Sequence, residues 1–517
     1  MDKRLVFTPV DDTGHHARHP SIEEETTLSL EEETLDPQNW DEMRELAHRI
    51  VDDSINHVRD VRQRPIWQPM PDQVKATFAK SLPDDPTPLG QIYETLAENM
   101  LPYPMGNIHP RFWMWYMGSS NFTGALGDFL AAVLGSNLGG GNHAAALIDD
   151  QVVNWCKEMM GFPQSASGTL VSGGSMANLI GLAVARNVMA GCDLREHGLQ
   201  ALDKPLRYYA SDQMHGCHQL AVETLGLGNA ALKLIPTAAD LTLDLGVLAD
   251  AIRADREAGL NPACVIANAG TVNTGAIDDL EAIAAVCRRE GLWFHVDGCI
   301  GALLAIAPGN KGRVAGIDKA DSIALDPHKW LHAPFEVGCV LVRDAAKHLQ
   351  TFTLTPEYLE QKERGVASGT WLHDYGLQTS RGFRALKVWM ALQEHGATKF
   401  GRLIDQNIAQ AQYLSEGIEE NEALELAVPT NINIVCFRYN PGGLTTEELA
   451  AINTEIMLRL QENGTAALSD TTVHGAHCLR VAINNHRTQR RDLDLLIEEV
   501  TGLGQTLMIE RSSSQAG

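Results

Sequence analysis

No stretch of this sequence holds about 18 consecutive apolar residues, the length a membrane-crossing helix needs, so none is expected. Cysteine is sparse: nine in 517 residues, an odd number, with no Cys-x-x-Cys pair. That argues against a disulfide framework or a structural zinc site and fits a reducing cytosol. Positive charge is short, with 41 Lys and Arg against 66 Asp and Glu and a formal net charge of −25. A polyanion repels nucleic acid and anionic membrane surfaces, so neither is an expected partner, and the charge reads as solvated acidic surface. There is no Gly-Lys-Ser/Thr phosphate loop, no internal repeat and no low-complexity tract. The start, MDKRLVFTPVDDTGHH, is polar and lacks a leader pattern, which predicts a cytoplasmic location. Asn121-Phe122-Thr123 and Asn463-Gly464-Thr465 then match glycosylation acceptors by chance.

What is present is enough apolar residue, 44%, to bury a large core across two or three domains. Residues 1–35 are acidic (SIEEETTLSLEEETLD) and read as a mobile arm. Residues 36–110 read as a helical segment, with helices over 39–57 and 88–99. From 111 to 400, short apolar runs alternate with helical patterns. Strands are expected at GTLVS (168–172), LRYYAS (206–211), ACVIANA (263–269), LWFHVD (292–297), ADSIALD (about 319–325) and EVGCVLVR (336–343). Strand–helix–strand repetition predicts an α/β fold, a mainly parallel sheet with helices on both faces. Residues 401–517 read as a small α+β domain containing NINIVCFRY and HCLRVAIN.

Ligands of an open α/β sheet bind beyond the carboxyl ends of its strands, so the residues there are the candidates. After GTLVS come Gly173, Gly174 and Ser175, then an apolar helix. Free N–H groups and the helix dipole suit a phosphate there, although for this motif alone a tight turn with a serine cap is the better explanation. After LRYYAS comes His215, by itself an ordinary loop histidine; with His218 it does not complete a metal set. Asp297, then Cys299, end the apolar strand LWFHV, and a carboxylate in that position needs a cationic partner or strong donors. Asp326, Pro327, His328 and Lys329 end the next one. A desolvated lysine loses basicity and becomes a nucleophile toward carbonyls, whereas a lysine that snorkels to the rim does not.

Together these parts suit pyridoxal phosphate. A helix terminus would take the phosphate and Lys329 would form the Schiff base. Asp297 would keep the pyridine nitrogen protonated, with His215 on one ring face and the small Cys299 under the other.

The sequence resembles the group II pyridoxal-phosphate-dependent amino-acid decarboxylases, which include aromatic-L-amino-acid, histidine and glutamate decarboxylases. HPRFWMWY, SGGSMANL, SDQMH, HVDGCIGA, DPHKWL, TPEYL and RGFRALKVW carry the resemblance, over about residues 36–500. It implies the type I aminotransferase-like fold and a homodimer with the active site at the subunit interface. It implies Lys329 as the covalent attachment point, Asp297 on the pyridine nitrogen and His215 on the ring near the substrate carboxylate. Gly174, Ser175 and His328 would lie around the phosphate or cofactor, with Thr271 a weaker contact because Val272 stands where relatives often carry a second threonine. Asp326 replaces a frequent asparagine; a carboxylate there repels phosphate and is expected to point elsewhere or contact backbone. Tyr358, in TPEYLEQ, matches the mobile-loop tyrosine that returns a proton to the carbanion left by decarboxylation. Members with phenylalanine there tend toward aldehyde formation, so Tyr358 favours the amine.

The same resemblance places Trp115, Tyr116 and Met117 on the substrate pocket, while Phe112 and Trp113 read as core. Such a wall suits an aromatic or bulky apolar amino acid. Ser380 falls where histidine decarboxylases of the mammalian type carry serine, which keeps histidine in view. Arg480 matches an arginine near the site, in substrate contact or in structure. Besides Arg480 and Arg111 no cation stands out for a second carboxylate, which disfavours glutamate. An aldehyde synthase and a non-catalytic cofactor-binding homologue are the rivals; the intact set of Lys329, Asp297, His215 and Tyr358 argues against both.

Overall fold

The computed structural model describes residues 33–354 and 361–515. By contacts the chain divides into Met1–Asp52 and Asp53–Gly517. Nearly all of the expected acidic arm lies outside the described residues. The expected N-terminal helices are found as Trp40–Arg59 and Leu89–Asn99.

Asp53–Gly517 is built on a seven-stranded sheet. Its strands are β1 (Ser167–Val171), β2 (Leu206–Ser211), β3 (Leu232–Ile235), β4 (Asn261–Asn268), β5 (Trp293–Asp297), β6 (Ser322–Leu325) and β7 (Gly338–Val342), in the spatial order β1-β7-β6-β5-β4-β2-β3. β3, β2, β4, β5 and β6 pair in parallel. β7 pairs antiparallel with both β6 and β1. The return from β6 through residues 326–337 contains only the four-residue helical turn Pro327–Trp330, too short to carry the chain back along the sheet as a parallel partner requires. With β7 reversed, β1 points the same way as β6. The carboxyl ends of β1, β2, β4, β5 and β6 therefore share one edge.

The apolar runs are continuous rather than alternating because both sheet faces are covered; every residue of β5, β6 and β7 is buried. The helix Gly174–Met189 packs on β5, β6 and β7 from one side. Leu245–Glu257 and Leu280–Glu290 lie along β4. The long helix Ala385–Glu419 packs on Phe122–Leu134 and Ala144–Met159. A second, antiparallel sheet has the order β10-β11-β9-β8, with β8 (Leu424–Leu426), β9 (Ile434–Tyr439), β10 (Ser469–Val473) and β11 (Ala476–Ala482). Its core contains Phe437, Leu479, Val481 and also Trp113, which is fully buried. Asn121 caps the helix Phe122–Leu134 by accepting from Gly124 N–H at 2.7 Å, and its amide donates to the His332 carbonyl at 2.7 Å. Its buried structural work explains an Asn-x-Thr match without a sugar.

Candidate active site

A cleft of about 670 Å³ opens at the shared carboxyl edge. It brings together Gly174, Ser175, His215, Asp297, Cys299, Asp326, His328, Lys329, Trp115, Tyr116, Met117 and Arg480. Two of the described residues expected there, Ser380 and Thr271, are not among its lining. Ser380 is exposed, beside the loop that follows the helix Phe122–Leu134, so a substrate role for it is not supplied within one chain. Thr271 is buried in its own loop, where its hydroxyl meets Thr274 Oγ1 at 3.1 Å and accepts from Ala276 N–H at 3.1 Å; the expected cofactor contact is replaced by a loop-closing one. Tyr358 lies outside the described residues.

β6 ends in a four-residue helical turn, Pro327–Trp330, with proline at its start. A helical turn sets residues three apart on one face, so Asp326 and Lys329 meet: Nζ lies 2.9 Å from Oδ2. The lysine pKa is set by opposing causes. Burial, the largest single cause, lowers it, but the Asp326 carboxylate together with Cys299 and Asp297 outweighs burial, and the ammonium is held above its ordinary range. The expectation of a lysine made less basic by desolvation is thus corrected. Of the two expectations for Asp326, a contact with backbone or another direction, its Oδ2 takes the second and meets the lysine. Its Oδ1 is buried with no hydrogen-bond partner. His328 donates from Nδ1 to the Val337 carbonyl at 2.7 Å, which fixes the ring against β7's approach.

Asp297 closes β5. Its Oδ2 is 2.8 Å from His218 Nε2, and its Oδ1 accepts from Cys299 N–H at 3.2 Å. Burial would raise its pKa; the bond from His218, then those from Cys299 and the charge of Lys329, reverse this and hold it well below the carboxylate range. His218 was not expected in the site. Its signal was its place three residues after His215, where the chain turns into the helix Cys217–Thr224.

Beneath the cleft runs a chain of hydrogen bonds whose direction follows from chemistry. Trp293 Nε1–H can only donate, and it does so to Ser322 Oγ at 2.8 Å. Ser322 passes its proton toward His295 Nδ1 at 2.7 Å, so the neutral His295 donates from Nε2 to Asn178 Oδ1 at 2.8 Å. Burial pushes His295 down to about 3, which keeps it neutral. The Asn178 amide then faces the thiols of Cys217 and Cys299, at 3.5 and 3.9 Å. Cys217, His218 and Asp297 have donor atoms within 4.8 Å of one another. Burial, then the Asp297 charge, pushes the Cys217 thiol up to about 12, so it is a poor metal ligand at neutral pH.

On the other wall, Trp115 is half-exposed at φ 55 and Tyr116 is buried, its hydroxyl accepting from Asn433 Nδ2 at 2.9 Å. Arg480 is buried, and its guanidinium is spent on the protein. It donates to the carbonyls of Trp115, Val272 and Asn273 and to Ser469 Oγ. Of the two expected alternatives, its bonds are those of a structural residue.

The residues fit pyridoxal phosphate. At Gly174 a Cβ would collide with Cys299 Sγ and Asp326 Oδ2, so only glycine leaves that floor open. The helix Gly174–Met189 starts there with no side-chain cap on its first N–H groups, Gly173 rather than serine being the cap residue. A lysine, an ionised carboxylate and the unpartnered Asp326 Oδ1 complete the polar set.

The comparisons agree. The pyridoxal-dependent decarboxylase conserved domain matches residues 71–440. An aromatic-L-amino-acid decarboxylase of Bacillus atrophaeus is 33% identical over 91% of this chain and 97% of its own. A phenylacetaldehyde synthase of a Rosa hybrid cultivar is 26% identical over 93% and 96%. The crystal structure of Oryza sativa TDC with PLP and tryptamine superposes with a TM-score of 0.85 at 27% identity, over 92% of this chain and all of that one. The chain belongs to the pyridoxal-dependent decarboxylases. It is a carboxy-lyase, and its cofactor is pyridoxal phosphate. Among the described residues no helix is long and apolar enough to cross a membrane.

Proposed function

We propose that the cleft decarboxylates an aromatic L-amino acid to its amine and carbon dioxide. The observation that carries this is the wall Trp115–Met117 beside the lysine, with Nζ 5.8 Å from the Tyr116 ring centroid. The relative named an aromatic-L-amino-acid decarboxylase supports the same substrate class. In this reading Lys329 is the attachment point, through Nζ, and Asp297 accepts from the ring nitrogen. Gly174, Ser175 and His328 surround the phosphate. Bound there, pyridoxal phosphate supplies the electron sink that lets the bond to the carboxylate break. His215 Nδ1 accepts from Cys217 N–H at 3.1 Å, so a neutral His215 carries its proton on Nε2, free to meet the substrate carboxylate over the ring. Tyr358 returns the proton to the α-carbon.

We further propose a cytoplasmic homodimer. The helix Phe122–Leu134 exposes Phe129, Leu130, Val133 and Leu134, an apolar face that a second copy would cover. Ser380 would then serve the partner's cleft. The working divisions we propose are an arm to residue 35, a helical segment to 110, the large domain to 400 and a small domain beyond.

The test is a panel of L-amino acids (Phe, Tyr, Trp, DOPA, His, Leu, Val, Glu, Asp) with cofactor-loaded protein, following carbon dioxide, amine and peroxide together. Amine with carbon dioxide and no peroxide on the aromatic members is expected. Aldehyde with peroxide would move the assignment to the activity the Rosa relative is named for. Turnover of histidine or glutamate alone would sink the aromatic reading.

A further inference from the structure

We propose that His218 is a positioning residue for the cofactor: its Nε2–H holds the Asp297 carboxylate in the orientation and ionised state in which it can accept from the pyridine nitrogen. This rests on the reading of Asp297 given above and adds to it a group no part of that reading requires.

The geometry is specific. His218 is fully buried in the first turn of the helix Cys217–Thr224, and its backbone N–H donates to the His215 carbonyl at 3.1 Å. The ring that would lie on the cofactor and the ring behind Asp297 are thus set by one turn. An ionised carboxylate only accepts, so in the 2.8 Å contact with Asp297 Oδ2 the proton belongs to His218 Nε2. Its other nitrogen, Nδ1, is buried with no partner among the described residues. Leaving a buried ring nitrogen unpaired is costly, and a leucine or phenylalanine would fill the same space without that cost. The imidazole therefore makes one polar contact, and that contact is to Asp297. Asp297 in turn closes a strand buried along its whole length, where the neutral acid is the easier state. Among the described residues His218 Nε2–H and Cys299 N–H donate to its carboxylate, with the Cys299 thiol beside it. The His218 bond is the shorter, 2.8 Å against 3.2 Å for the backbone amide, and it comes from a side chain that can be replaced. A protonated or rotated Asp297 could not hold a proton on the ring nitrogen.

The experiment uses holoenzyme loaded with pyridoxal phosphate carrying nitrogen-15 in the ring, whose chemical shift reports whether that nitrogen is protonated. His218→Leu keeps the volume and removes the donor; His218→Gln keeps a donor of similar reach. The shift should move to the unprotonated range in His218→Leu and remain at the wild-type position in His218→Gln. The dissociation constant for pyridoxal phosphate should rise about 10- to 100-fold in the leucine variant only. Should His218→Leu not fold, His218→Asn, whose amide is too short to reach Asp297, carries the same expectation. An unchanged shift in the donor-less variant overturns the proposal, as does an equal displacement in the glutamine variant. Asp297→Asn separates the two readings: if it also leaves the ring nitrogen protonated, the assignment of Asp297 fails, rather than that of His218.

Discussion

Lys329 Nζ lies 2.9 Å from Asp326 Oδ2, so the lysine that should attack a carbonyl is first held as an ammonium by the residue three positions before it. Attack needs the free amine, and the pair therefore stands between the empty protein and the loaded one. In Asp326→Asn the largest of the causes that oppose burial is gone, so the lysine should become less basic. Capture of pyridoxal phosphate by apoprotein, followed by the visible absorbance of the bound cofactor, should accelerate with rising pH in both proteins. The asparagine variant should reach its plateau at lower pH. Coincident pH profiles would show that Asp326 does not govern the lysine.

Arg480 joins the substrate wall to the small domain by backbone contacts, and that determines what its loss should do. Its fork reaches the carbonyls of Trp115, Val272 and Asn273. Lysine keeps the charge but cannot span them. Arg480→Lys should let Trp115 leave its φ 55 conformation and raise KM for an aromatic substrate about tenfold or more, with kcat changed much less. A large fall in kcat with KM unchanged would instead place the guanidinium in the chemistry.

Much of the site was legible because its residues sit at strand ends. HVDGC and LDPHKWL mark two buried strands by composition, and the residue after an apolar run is where an α/β sheet keeps its ligands. Even the Asp326–Lys329 pair is a spacing-of-three feature that the proline-started turn announces. What resisted were features set by tertiary packing. β3 has only four residues, LKLI, and half of them are not buried, so it carries no run to notice. The reversal of β7 follows from a connection that holds no crossover helix, and its apolar composition is the same for either direction. Thr271 and Ser380 were placed by alignment to a pattern, but Thr271 turns into its own loop and Ser380 lies off the cleft of its own chain. His218 offered its spacing, yet only the fold shows that it ends on Asp297.

Buried histidines make the fold sensitive to mild acid. Burial lowers His109 and His295 to about 3 and His348 and His486 to about 4. Each takes up a proton near pH 6.5 when unfolded but resists it when folded. Their contribution is complete above pH 6.5 and is lost as pH falls from there toward the folded values. His348 is a clean probe, fully buried between Ser167 Oγ at 2.9 Å and the Tyr375 carbonyl at 3.0 Å. Urea unfolding of the protein should weaken steadily between pH 6.5 and 4. In His348→Gln the slope should be shallower by up to about 1.4 kcal/mol per pH unit. A slope equal to the parent's would mean that His348 titrates normally in the fold.

The apolar face of the helix Phe122–Leu134 supplies the last test, since Phe129 is 58% and Val133 69% exposed in the single chain. Covering either side chain in a partner's surface would contribute about 1.5–3 kcal/mol, and a glutamate at each position replaces that gain with a buried charge. Phe129→Glu with Val133→Glu should therefore sediment as a single chain where the parent sediments as two. The helix should survive, because Asn121 still caps it and its inner face still packs on Ala385–Glu419. The dissociated chain should also lose activity, because Ser380 and the polypeptide leading to it would no longer be presented to a neighbouring cleft. A parent that is itself monomeric, or a double variant that remains paired, would mean that this face is not what joins the chains.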